Sequence, residues 1–159
     1  MSPRLLRWGM NLWPPYLGAG IHVRSIAADW SEAVVELRAR LLNRNYVGTH
    51  FGGSLFAMTD PFYALLLMHR LGGRYHVWDH SASIEFVSPG RGTVSATFHM
   101  PLETVEAIRA QAATGHKVLP QFQAEVRAAG GGLVARVSKT IYVRLKPRYR
   151  PSTGAADAR

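Results

Sequence analysis

The stretch "NYVGTHFGGSLFAMTDPFYALLLM", residues 45–68, runs from a polar loop through two adjacent glycines into an almost wholly apolar segment that holds one acid, Asp60. From Ser54 to Met68 the apolar side chains occupy every side of a helical wheel rather than one stripe, so a helix here is buried all round. An antiparallel sheet covers such a helix only by curling around it, with a second copy of the molecule closing any side left bare. Asp60 admits two readings. It is followed by Pro61, and an acid at an N-cap with proline at the first helical position starts a helix, which predicts a second or kinked helix from this point. An ionisable group in so apolar a setting is equally a candidate centre of chemistry.

The flanking segments supply the sheet. In "IHVRSIAADWSEAVVELRARL" the chain breaks at Asp29-Trp30-Ser31, after which Ala33, Val35, Leu37, Ala39 and Leu41 alternate with polar or outward positions, predicting a first hairpin. Strands are predicted from Tyr75 to Ser88 and from Thr93 to Met100, joined as a second hairpin by "SPGRG", with Val94, Ala96, Phe98 and Met100 on one face. "LETVEAIRAQAATG" places Leu102, Val105, Ile108 and Ala112 at helical spacing with Gly115 as the stop. Phe122, Ala124 and Val126, the turn "AAGGG", and then Leu133, Ala135, Val137, Ile141, Val143 and Leu145 give a third hairpin. Residues up to Tyr16, with Leu5, Leu6, Trp8, Met10, Leu12 and Trp13, predict an extra N-terminal helix lying across an open edge or face. The expected fold class is therefore α+β, a six-stranded antiparallel sheet wrapped around a long central helix in the order β-β-α-β-β-α-β-β.

Composition bounds the function. A chain of 159 residues, 47% hydrophobic and 18% charged, suits one globular domain, expected over residues 1–147 with a basic C-terminal tail over 148–159. The absence of cysteine excludes disulfides and thiolate chemistry and fits a reducing compartment, so a cytoplasmic location is expected. Arg7 and Pro14-Pro15 interrupt any signal-like apolar run, and Phe62 to Met68 is far too short to span a membrane. The charge of +9 suggests an anionic partner, which could be nucleic acid, a membrane surface or a phosphate-bearing small molecule. No aromatic-plus-basic recognition motif accompanies it, so neither nucleic acid nor membrane is the expected partner.

The central stretch resembles the hotdog-fold superfamily, and within it the acyl-CoA thioesterases of the phenylacetyl-CoA type. Their pattern is an Asn, two residues, a Gly, two residues, a His, a Gly-Gly pair, six residues and an Asp; here Asn45, Gly48, Phe51, Gly52-Gly53 and Asp60 stand at those places. Phe51 replaces the histidine, and the nearest histidine, His50, is one residue earlier. "SIEFVSPGRGTVSATF" resembles a second shared pattern, and "GTHFGGSLFAMTDPFY" looks closest to an uncharacterised, thioesterase-like branch.

Thioester hydrolysis needs an activated water or a carboxylate nucleophile, together with donors for the oxyanion. Asp60 is the candidate base or nucleophile, and Gly53 or Gly52, at a helix N-terminus, the oxyanion donor. The resemblance implies that Asn45 orients the water or carbonyl, and that acid and glycine meet across a homodimer or a dimer of dimers. His50, Phe51 and Phe56 are candidate substrate contacts, and Arg91 a candidate for the coenzyme A phosphates. Tight loop-to-helix packing is the competing account of the glycines. No metal or separate cofactor is expected; His76 and His80 are four apart but fall on a strand. The rival functions are an acyl or acyl-CoA binding protein without catalysis, a hydratase or dehydratase, and a nucleic-acid binder.

Overall fold

The structure is a computed structural model and describes residues 1–151. Its strands are β1 (Ile21–Ile26), β2 (Glu32–Arg38), β3 (Tyr75–Phe86), β4 (Thr93–His99), β5 (Gln121–Ala128) and β6 (Leu133–Leu145). All pair antiparallel in one six-stranded sheet of order β1-β2-β4-β5-β6-β3. The concave face is lined by the alternating positions read from the sequence, among them Val35, Leu37, Val94, Phe98, Val126 and Ile141, each without exposed surface. Against it lie helices α3 (Gly52–Ala57) and α4 (Phe62–Leu71), the enclosed helix of a hotdog fold. Phe62 stacks on Phe98 with centroids 5.0 Å apart, and Tyr63 stacks on Phe122 at 4.7 Å while its hydroxyl donates to the Gln123 carbonyl. Burying side chains of this size stabilises by roughly 2 to 3 kcal/mol each, so the wheel of apolar residues is what holds helix to sheet.

The central helix is interrupted between Met58 and Pro61. Proline has no N–H to continue the ladder, and the Thr59 hydroxyl donates instead to the Phe56 carbonyl at 2.8 Å, closing the first segment. The break expected at Asp60-Pro61 is present, but Asp60 is not its cap. Pro61 occupies that place, and no side chain caps α4.

The first and third hairpins form as expected; the second does not. β3 pairs with β6, from Tyr75 opposite Leu145 to Phe86 opposite Ala135, while β4 lies between β2 and β5. "SPGRG" is thus a connection across the fold rather than a hairpin turn, and it is fixed from the central loop. His50 N–H donates to the Gly90 carbonyl at 3.0 Å, and Ala39 N–H donates to Gly92 at 3.0 Å. Alternation tells which face a residue takes but not which strand lies beside it. β2 also stops at Arg38, short of the expected Leu41. Asn43 accepts from Arg40 N–H and donates to the carbonyls of Ala19 and Arg38, turning the chain off the sheet and leaving Leu41 exposed.

Helix α5 (Leu102–Ala112) packs Val105, Ile108 and Ala112 inward, and Gly115 takes the left-handed conformation that ends the segment. The N-terminal segment forms α1 (Pro3–Leu12) and α2 (Pro14–Ala19), divided by Pro14. The Asn11 side chain reaches the edge strand, accepting from Val23 N–H at 2.7 Å and donating to its carbonyl at 3.0 Å, so it acts as one residue of an extra strand. Asn11→Ala would orphan both groups of a residue with no exposed surface, and a loss of about 2 kcal/mol in denaturant unfolding is expected. The tail expected over 148–159 lies mostly outside the described residues; Pro147–Tyr149 form a short 3-10 turn.

Candidate functional site

Gly53, Phe56, Ala57 and Asp60 follow one another at helical spacing, and the structure places all four on one wall of a cavity of about 300 Å³. The opposite wall is the N-terminal segment, with Trp13, Pro15 and Tyr16, closed by Ile21 at the start of β1. The Asp60 side chain is 64% exposed, and its Oδ1 lies 3.1 Å from the Nζ of Lys139. The same ammonium donates to the Asp60 main-chain carbonyl and stands 2.9 Å from Asp79 Oδ1. Lys139 is itself 1% exposed, on the inward phase of β6 between Val137 and Ile141.

A buried ammonium is tolerable only when paired and hydrogen-bonded, and two carboxylates plus a carbonyl meet that need. A bulge in β3 between Asp79 and Ser81 marks the place where Asp79 is aimed at the lysine. Burial pushes the Asp79 carboxyl up; the hydrogen bond and charge of Lys139 pull it down, and Asp60 adds a further upward push. Neither Lys139 nor Asp79 is among the residues that sequence reasoning selected. The signal was the gap at 139 in an otherwise apolar alternation from 135 to 145.

Gly52 and Gly53 are the first two residues of α3, and among the described residues neither N–H meets an acceptor. Both also answer to packing. A Cβ on Gly52 would come within 2.9 Å of the Phe86 ring, and one on Gly53 would overlap the Phe51 ring. The two accounts of the glycines therefore coexist: aromatic rings pack closely over them, and their donors have no acceptor among the described residues.

Asn45, His50 and Gly52 line a different cavity, of about 340 Å³, together with Phe86 and the "SPG" segment. The Asn45 side chain is spent on its own loop. Its Oδ1 accepts from Val47 and Thr49 N–H, while its Nδ2 donates to Thr49 Oγ1 at 2.8 Å and to the His50 carbonyl. His50 is 4% exposed, and its Nε2 lies 2.9 Å from the Gly92 carbonyl. A carbonyl only accepts, so Nε2 carries the proton, and Nδ1 is left buried without a partner. His50 is thereby a clamp on the "SPGRG" segment, although it borders the cavity. Phe51 stands exposed at the entry to α3, Phe56 lines the Asp60 cavity, and Arg91 is exposed in its loop.

Burial lowers the His50 pKa below its usual 6.5, with the Gly92 bond opposing and Arg44 adding to the effect. A depressed folded-state pKa means that the unfolded chain takes up the proton first. The stability held above pH 6.5 is then lost as pH falls through the folded value. His50→Gln is expected to flatten the fall in Tm between pH 7 and 5 relative to wild type, measured by thermal unfolding across that range.

Several solved structures share this fold. A Pseudomonas aeruginosa protein of unknown function, described as a probable thioesterase, superposes with a TM-score of 0.83 at 14% identity, covering 92% of this chain and 97% of that one. A thioesterase from Haemophilus influenzae gives a TM-score of 0.66 at 13% identity over 91% and 92%. A hypothetical thioesterase from Streptococcus pneumoniae, solved with an aspartate replaced by alanine, gives 0.55 at 13% identity over 79% and 92%. At such identities the likeness establishes the hotdog fold. No curated protein matches the chain. Among the described residues no helix is long and apolar enough to cross a membrane. Residues 3–143 match the family described as a domain of unknown function, DUF4442, and the chain belongs to that family.

Proposed function

We propose that the protein hydrolyses acyl-CoA thioesters. The observation that carries this reading is the shared cavity of Asp60 and Gly53, which brings a carboxylate in the break after α3 beside a residue whose N–H, at the start of α3, has no acceptor among the described residues. Asp60, as general base, takes a proton from water as its oxygen attacks the thioester carbonyl; the oxyanion is held by glycine N–H, and collapse expels the thiolate to leave the free acid. As nucleophile, Asp60 would attack the carbonyl itself and expel the thiolate to form a mixed anhydride, which water would then cleave to the free acid and the restored carboxylate. The Asn-Gly-Gly-Asp spacing shared with phenylacetyl-CoA-type thioesterases supports the same reading.

The working unit in this reading is a homodimer. Along β3, Ser81 to Ser83, Glu85 and Phe86 are exposed on a strand with one unpaired edge, which suits pairing with a second copy. Asn45 and Gly52 lie in a separate cavity from Asp60. A dimer could bring the glycine side of one subunit to the acid of the other. Arg91, exposed and next in the chain to Gly90 of the Asn45 cavity, would meet the coenzyme A phosphates in this reading.

The test is thiol release from acetyl-, octanoyl- and dodecanoyl-CoA by the purified protein, with sedimentation fixing its oligomeric state. Tight binding of an acyl-CoA with no thiol released would instead favour a binding protein, and steeply salt-dependent binding to DNA or RNA a nucleic-acid binder.

A further inference from the structure

A groove of about 780 Å³ separates α1 from the start of α4, with Met1, Leu5, Trp8 and Leu12 on one side and Pro61 and Leu65 on the other. Its lining is almost entirely apolar. Leu5, Trp8 and Leu12 are each more than 60% exposed, so most of this surface lacks a partner within the chain. The groove adjoins a second cavity. Trp13 and Pro61 belong both to it and to the cavity that holds Asp60 and Gly53. Tyr16 lines that second cavity, and its hydroxyl is buried without a hydrogen-bond partner, on a residue 3% exposed. Burial, and then the charge of Asp60, push its pKa well above the usual range, so it remains a donor without an acceptor.

We propose that α1 and the start of α4 form the binding groove for an aliphatic acyl chain of about eight carbons or more, whose carbonyl end enters the Trp13–Tyr16–Asp60 cavity. This rests on the thioesterase reading for the identity of the head group. The ten residues of α1 run about 15 Å, close to the span of one lipid tail across half of a roughly 30 Å hydrocarbon core. The Tyr16 hydroxyl donates to the carbonyl of the acyl group. An open apolar groove lined from two helices and adjoining a polar cavity matches an amphiphile with one tail. Arg7, on α1, is held by its bond to the Arg24 carbonyl and so is not free to meet an anionic lipid surface.

Trp8 and Trp13 line the groove, so their fluorescence reports on it. S-dodecyl-CoA, a thioether that cannot be hydrolysed, is expected to change that signal and to bind at least a hundredfold more tightly than S-butyl-CoA, since each buried methylene contributes roughly threefold. Leu5→Asp, at an exposed position that spares folding, should cut this preference to below tenfold. Equal affinity for the two thioethers, or a preference untouched by Leu5→Asp, overturns the proposal. So does a fluorescence change with phosphatidylglycerol vesicles but none with S-dodecyl-CoA, which would assign α1 to a lipid surface. The thioesterase reading fails separately. Tight S-dodecyl-CoA binding with no cleavage of dodecanoyl-CoA keeps the groove and removes the hydrolase, whereas hydrolysis indifferent to chain length keeps the hydrolase and removes the groove.

Discussion

Asp60→Asn is expected to lower acyl-CoA turnover by a hundredfold or more while leaving fold and oligomeric state intact. Asparagine keeps the shape of the side chain and an oxygen that can accept from Lys139 Nζ, now 3.1 Å from Asp60 Oδ1. It cannot take a proton from water or attack a carbonyl at neutral pH, so the chemical step alone is removed. The Asp60 side chain is 64% exposed, which keeps the cost in stability small. Steady-state thiol release with circular dichroism and sedimentation as controls checks this. Activity within a few fold of wild type would remove Asp60 from the mechanism.

The second large effect concerns the residue that holds Asp60 in place. Lys139→Met keeps the apolar stem and deletes a fully buried charge, leaving Asp60 and Asp79 around a space with no cation. Asp79 is mostly buried and then lacks the one interaction that pulls its pKa down. A loss of about 3 kcal/mol at neutral pH is expected from denaturant unfolding. The sign with pH follows from Asp79. Its folded pKa is already raised, and a raised folded pKa means stability present below the unfolded value and lost as pH rises through the folded one. The deficit of Lys139→Met should therefore shrink towards pH 4, and adding Asp79→Asn should restore most of it at pH 7. If the ammonium also orients the Asp60 carboxylate, turnover falls with Lys139→Met and stays low in the double variant.

The enclosed helix was legible because its apolar residues leave no polar stripe, and the strands because Val94 to Met100 alternate strictly and Ala135 to Leu145 alternate but for Lys139. The partner of β3 was not, since period-two patterning fixes a face and says nothing of neighbours. The "SPGRG" connection is positioned by bonds from His50 and Ala39, distant in sequence. Gly53 and Asp60 could be picked out from the motif spacing, but their sharing one cavity with Phe56 within a subunit depends on how the break after Met58 turns the chain. Lys139 and Asp79 could not be joined to them, because their meeting depends on the β3–β6 register and its bulge. Asn45 was visible as part of a motif, but not that its side chain is occupied by Thr49 and His50. The N-terminal helix showed as an amphipathic segment without a role, and only packing reveals that Trp13 and Tyr16 wall the Asp60 cavity.

The most direct measurement counts products. With octanoyl-CoA in tenfold excess over protomer, wild-type protein should release free thiol and free octanoate in equal amounts, well beyond one per protomer, and Asp60→Asn should not. Octanoyl-CoA recovered intact from the wild-type incubation, with thiol no higher than in a protein-free blank, would contradict hydrolysis at this site.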